Sequence, residues 1–557
     1  MKASLPLLAV SSAVLTASFV HAQDFGNLGG NAQRNGQTAA IGPISTQVAW
    51  SDDANSSIIS WMPYISNDRV FVVRATGFPQ AGGAANDEIL SYDLETGSIL
   101  WRMSLPYGGD PTTEFIAWIA GVNSGRVYAA RTQNSRPGPI RALDAVTGAI
   151  LWTSTTTTEA FANDGVVFTP DGDLILADFS KIERLDGATG SVEWSTPRFC
   201  PVSGSCGVAM TGDAIYFDQP AVGGHTVGKL DLATGAFLYE SPIMPGFTTQ
   251  NSPFVSTDGT VYFARSQNNP STDFLYAFDD TGTEFIQRWS TPIRWTTGHE
   301  HGVAADGSVY TFNANEEFVR LDPATGQETA NAGLLAPVGF SLSPQTAVDA
   351  AGTVYVSNGF ASNPAGDGRL WAFNEDLSTV HFVQTFERPN QGGPAVGGDG
   401  YLVMADLNRV SVYRALEQGS AYCSPAVPNS TGQPAALTVR GDTDVAASDL
   451  VLRCASMPNS VFGYFLLSTT QGFAAGAGGS QGNLCLSGSV GRFSQAAASS
   501  MDRGSIELRI DLAAVPQPAG FVSVVAGETW NFQAWFRDAV GGMATSNFSN
   551  ARSVVFQ

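Results

Sequence analysis

The tightest group of chemistry-bearing residues is His299-Glu300-His301. In an extended segment the two imidazoles project to one side and the carboxylate to the other. Two imidazoles so placed could supply part of a divalent-metal site, or one could act as a general base. Two ligands do not complete a site, so further donors must come from elsewhere in the fold. Past residue 22 the only other histidines are His225 and His381, so the pairing does not follow from abundance. Polar residues at comparable places in the chain are Asp110, Glu114, Glu159, Gln250, Asn251, Gln345, Arg388, Asn390 and Gln391. Of these, Asn251, Gln345, Asn390 and Gln391 join the His-Glu-His cluster as the candidate ligand-binding set, with His299 and His301 as the candidate metal ligands. The ordinary role of such residues is to line a solvated channel. No Gly-x-Ser-x-Gly elbow, phosphate loop or His-Glu-x-x-His motif supports a hydrolase or nucleotide reading.

Five cysteines are present. Cys200 and Cys206 bracket a Pro-Val-Ser-Gly-Ser loop and are expected to pair, a closure that contributes roughly 2 kcal/mol. No Cys-x-x-Cys or Cys/His spacing points to structural zinc.

The elements that must position these residues are short strands. Only 14% of the 557 residues are charged, while 60 are glycine and 10% aromatic, a mix that suits many tight turns. The net charge of −22 includes three lysines only, Lys2, Lys181 and Lys229. Such a surface repels phosphate backbones and anionic lipid, which excludes nucleic acid as a partner and favours solubility. Lys2, the apolar stretch Leu5–Val20 and Val20-His21-Ala22 predict a signal peptide over residues 1–22. Ser11, Ser12, Thr16 and Ser18 break the apolar run, and no other run reaches spanning length, so no transmembrane segment is expected. The predicted product is secreted, periplasmic or held at the cell surface.

Internal repetition dominates the rest. Ala142–Trp152 reads as a strand closing on Leu143-Asp144, a Thr147-Gly148 turn, and a strand carrying Trp152. The unit recurs from Tyr92-Asp93 to Trp101, from Leu185-Asp186 to Trp194, from Leu230-Asp231 to Tyr239, from Phe278-Asp279 to Trp289, and at Leu321-Asp322. A degenerate copy, Ala372–Asp376, lacks the Thr-Gly. Upstream of each lies a turn and an aromatic strand, such as Gly125-Arg126-Val127-Tyr128 and Asp306-Gly307-Ser308-Val309-Tyr310. Repeats of four antiparallel strands are what a β-propeller blade requires. The orphan Gln47-Val48-Ala49-Trp50 supplies the strand the last repeat lacks and closes the ring. The expected fold is all-β: an eight-bladed β-propeller, with seven as the alternative count, followed by a C-terminal β-sandwich. The Asp-Gly and Thr-Gly turns share one face. The long second-to-third loops and blade connections share the other, where binding residues are expected.

The Leu-Asp-x-x-Thr-Gly-x-x-x-Trp units, with Val-Tyr strands before them, resemble the PQQ-like repeats of the quinoprotein-type β-propeller superfamily over roughly residues 41–416. The resemblance implies the fold and leaves activity open, since the superfamily holds quinone-dependent dehydrogenases and a non-catalytic outer-membrane assembly scaffold. Its dehydrogenases carry an adjacent Cys-Cys pair over the cofactor, a stacking Trp and calcium ligands. This chain has no adjacent cysteines, so bound pyrroloquinoline quinone is not expected.

Beyond Ala421 the repeat stops and proline enters a Ser/Asn/Gly-rich stretch. About seven short alternating strands follow, as in a β-sandwich. Tyr422-Cys423-Ser424-Pro425, Gly482-Asn483-Leu484-Cys485 and Trp530–Arg537 are similar to a C-terminal module of large secreted bacterial proteins. That resemblance implies pairing of Cys423 with Cys485 and leaves Cys454 over. The expected organisation is a leader over 1–22, a propeller over 23–417, a linker over 418–434 and a sandwich over 435–557. The function expected is that of a secreted, non-catalytic and monomeric binding or scaffold protein, taking a protein or glycan ligand on the long-loop face. The alternatives are a metal- or quinone-dependent oxidoreductase and an envelope assembly scaffold.

Overall fold

The computed structural model describes residues 25–557 apart from 55–56, 58–59, 67, 77–86, 109–113, 201–205, 247–251, 267–271, 295–300, 336–344, 360–367, 390–391, 398–399, 447–449 and 502–503. Among the described residues, eight four-stranded antiparallel paths form the first part of the chain. The first sheet runs Tyr64–Ser66, Arg69–Ala75, Asp87–Asp93 and Ile99–Met103, from the axis outward. Six more follow in chain order, with innermost strands Trp118–Asn123, Val166–Phe168, Val208–Thr211, Phe254–Val255, Gly302–Val303 and Gln345–Val348. The eighth takes Ala395–Gly397, Tyr401–Ala405 and Val410–Arg414 from the end of the propeller and Val48–Asp52 from its beginning. Its innermost strand lies against that of the first sheet, as a closed ring demands.

The repeated motif works as a clasp between successive sheets. Asp144 Oδ1 accepts the backbone N–H of Val146 and Thr147 and the Thr147 hydroxyl, at 3.0, 2.7 and 2.9 Å, which fixes the turn. Gly148, at φ 74°, brings its Cα under the Trp101 ring of the preceding sheet; a Cβ there would lie 2.8 Å from it. The Trp101 indole N–H donates to Ala145 O at 3.0 Å. The same bond joins Trp152 to Gly187, Trp194 to Leu232 and Trp289 to Pro323. Trp50 makes it to Leu94 O of the first sheet at 2.8 Å, so the joint between eighth and first sheets has the geometry of the others.

A feature absent from the repeat pattern lines the axis at one end. Residues 25–43 run round the inside of the ring and meet the sheets in order, at their tight-turn ends. Ile65 N–H donates to Phe25 O, Val122 N–H to Gly26 O, Met210 N–H to Ala32 O and Val255 N–H to Gln33 O. Val303 N–H donates to Asn35 O and Val348 N–H to Gly36 O. Out of that order, the Arg34 guanidinium donates to Asp164 O just before the third sheet's first strand, and Ile41 O abuts Gly400 in the eighth. Asn31 donates to Asn35 Oδ1 at 2.6 Å, Asn35 to Val255 O at 2.9 Å and Gln37 to Ala304 O at 2.8 Å, so the amides of this hoop are satisfied.

The C-terminal part is a sandwich. A sheet of Ala436–Arg440, Val451–Ala455 and Ile506–Arg509 packs on a larger one built on Phe462–Ser468, Thr529–Val540 and Met543–Val555. Leu437, Leu452 and Cys454 of one meet Phe465, Phe532 and Phe536 of the other in a common core. Ser420–Tyr422, expected within a linker, is a strand paired to Met543–Val555, because the edge of that sheet offers it a ladder. Cys423 and Cys485 are joined by a disulfide. The sandwich rests on the tight-turn face, through Arg453–Glu95 at 3.2 Å and Arg440, whose guanidinium lies 5.0 Å over the Tyr401 ring.

Candidate functional site

The hoop closes the tight-turn end of the axis, so the sites that remain face the long loops. At that end most side chains of the hoop are themselves buried. Arg34 is buried at 2% exposure, and burial lowers its pKa to about 10 despite nearby Asp164 and Tyr64. Burial likewise raises the Asp164 carboxyl to about 6, against the hydrogen bonds it accepts from Phe161 and Cys206.

His301 is the one member of the His-Glu-His cluster among the described residues; His299 and Glu300 lie outside them, as do Asn251, Asn390, Gln391, Asp110 and Gln250. The His301 ring is buried, stacks on Phe254 at 4.9 Å, and places Nδ1 3.2 Å from Thr311 Oγ1. Burial pushes its pKa down to about 3, so the imidazole is neutral at physiological pH. Phe254 and Thr311 place the ring between the fifth and sixth sheets. Gln345 is buried at the start of the seventh sheet's innermost strand, with Nε2 lacking a partner among the described residues. Glu114 accepts the Gly108 N–H at 2.5 Å, and Glu159 lies at a cavity lip. Arg388 O lies 3.4 Å from the Ser60 hydroxyl, which donates to it. Among the described residues, no group of three or more His, Cys, Asp or Glu side chains is arranged to hold a metal ion.

Several acids of this face hold inter-sheet connections. Asp87 and Arg131 form a buried bidentate pair at 2.7 and 2.7 Å, and Asp87 also accepts the Ala117 N–H. Asp178 accepts the Glu159 N–H, and Asp406 the Glu387 N–H, each at 3.1 Å. These pairs join residues far apart in sequence, and no motif announces them. In the fourth sheet His225 Nδ1 lies 2.7 Å from Asp218 Oδ1, an oriented imidazole that spacing alone did not single out. A Gly-x-Ser-x-Gly string at Gly478–Gly482 is a loop in the sandwich, where the buried Ser480 hydroxyl donates to Ser546 O at 2.8 Å. It lacks the strand-to-helix turn of a nucleophile elbow.

Two concave sites open on the long-loop face. A groove of about 590 Å³ lies between the seventh and eighth sheets, lined by Asp53, Gln384, Phe386, Glu387, Asn408 and Arg409 among others. A cavity of about 450 Å³ spans the connections of the second to fourth sheets, lined by Asn134, Glu159, Phe179, Ser180, Arg198, Phe199 and Cys200. Phe199 is 67% exposed at its lip. Arg198, beneath, donates to Cys206 O at 2.9 Å and Asp218 O at 2.5 Å. Cys200 and Cys206, expected to pair, are both buried, and the two sulfurs are in contact, that of Cys206 being hydrogen-bonded to Cys200. Separate neighbours fix their backbones, Phe179 O for the Cys200 N–H and Asp164 Oδ1 for that of Cys206.

The residues present do not fit the quinone that the repeats bring to mind. Such a ring needs a flat slot between a Cys-Cys pair and a tryptophan. Here no two cysteines are adjacent, and the clasp tryptophans are committed to neighbouring turns on the opposite face.

Residues 85–332 match the family model described as outer membrane protein assembly factor BamB. No curated protein matches the chain. Among solved structures, a europium-containing methanol dehydrogenase is similar at 13% identity, covering 69% of this chain and 89% of that one, with a TM-score of 0.49. BamB from Moraxella catarrhalis is similar at 16% identity, covering 66% and 100%, with a TM-score of 0.46. Quinohemoprotein alcohol dehydrogenase from Comamonas testosteroni is similar at 12% identity, covering 72% and 83%, with a TM-score of 0.49.

Proposed function

We propose that this chain, a β-propeller of the PQQ-like repeat superfamily, is an exported, non-catalytic binding or scaffold protein that engages a protein partner on its long-loop face. The observation that carries the reading is the division of labour between faces. The tight-turn face is spent on clasps, hoop and sandwich contacts, whereas both cavities and the exposed Phe199 lie opposite. An apolar ring standing at the lip of a polar-rimmed cavity is the kind of anchor protein interfaces use. The Cys423–Cys485 disulfide fits an oxidising compartment outside the cytoplasm. No helix among the described residues is long and apolar enough to cross a membrane. The test is elemental analysis and quinone extraction on protein purified from its native host. Substoichiometric metal and quinone are expected; one equivalent of either would overturn the non-catalytic reading.

A further inference from the structure

We propose that residues 25–43 are a kinetic lock: the last part of the propeller to dock and the part whose release limits unfolding. The hoop touches all eight sheets, from Phe25 on Ile65 to Ile41 against Gly400. Its full set of partners therefore exists only after every sheet has formed and the ring has closed. Contacts so distant in sequence carry the largest loop-closure cost and form late.

Once seated, the hoop is hard to remove. It accepts the inner N–H groups of Ile65, Val122, Met210, Val255, Val303 and Val348, within one residue of each strand's end. Leaving would strip those donors together, in a place where the side chains of Asn27, Asn31, Asn35 and Arg34 are also buried. Gly36, at φ 74°, lies so close that a Cβ would stand 2.6 Å from Thr346 O, so the fit is one of backbone against backbone. Interactions made after the transition state slow unfolding without speeding folding.

The experiment measures unfolding and refolding rates of the full chain by stopped-flow tryptophan fluorescence in guanidinium, for Asn35→Ala and the milder Gln37→Ala. Asn35→Ala removes the bond to Val255 O, and Gln37→Ala that to Ala304 O. Unfolding should accelerate on the order of tenfold or more for Asn35→Ala and less for Gln37→Ala, with refolding unchanged within about twofold. Refolding slowed by as much as unfolding is accelerated would place the hoop in the folding nucleus and overturn the proposal. So would unfolding rates equal to wild type, which decide the matter even where refolding yields are poor.

Discussion

Replacing Trp50 by alanine should open the ring at its seam. The strand Val48–Asp52 is held to the eighth sheet by its ladder with Val410–Arg414, and to the first sheet by the side chains of Trp50 and Asp52. Trp50 is 9% exposed, stacks on Tyr92 at 5.2 Å, and donates to Leu94 O at 2.8 Å. Truncating a buried tryptophan costs about 3–5 kcal/mol, of which about 1 kcal/mol is the hydrogen bond. Trp50→Phe keeps a ring over Gly97 and loses the bond, so it should cost nearer 1–2 kcal/mol, on the order of the bond plus imperfect packing. The assay is equilibrium guanidinium denaturation followed by near-ultraviolet circular dichroism. Ile150→Ser, at a 40% exposed rim position, serves as control and should stay within about 0.5 kcal/mol. A Trp50→Ala midpoint indistinguishable from the control would refute closure through this clasp.

The buried imidazole of His301 predicts a pH effect. Its folded pKa of about 3 lies below the unfolded 6.5, so its contribution is intact above pH 6.5 and is lost on acidification as the unfolded chain takes up the proton. Between pH 6.5 and 5 this amounts to about 2 kcal/mol, and His301→Gln should remove that part of the slope in denaturation curves. Arg131→Ala leaves the Asp87 carboxylate buried without its partner and should cost about 3–5 kcal/mol. The double change Asp87→Leu with Arg131→Met should cost clearly less in the same measurement, because no charge is left stranded.

What could be read from the sequence was what repeats. The Asp–Thr–Gly turn and its tryptophan appear so often that their common geometry shows through, and Trp50 could be assigned to the seam by being the surplus copy. The hoop could not be read that way. Phe25-Gly-Asn-Leu-Gly-Gly-Asn-Ala-Gln-Arg-Asn-Gly has no strand or helix period, and its order comes from backbone edges that only the assembled ring supplies. That segment is the unforeseen lining of the axis at its tight-turn end. His301 shows the difference: alternation places it beside His299, whereas its stack on Phe254 depends on a neighbouring sheet that no local pattern announces. The Asp87–Arg131 pair was hidden for the opposite reason, since its members carry no local pattern and meet only across two sheets. Loop length brings Cys200 and Cys206 together, and their sulfurs do meet, while their backbones are held by different neighbours.

The claim that the long-loop face engages a protein is tested most directly by site-specific photocrosslinking in the native host. A photoreactive residue replaces Phe199 at the cavity lip or, in a second strain, Val146 on a tight turn, where the side chain is 58% exposed. A discrete protein adduct from position 199, with none from position 146, is the predicted result. Adducts from 146 alone, or from neither position, would contradict it.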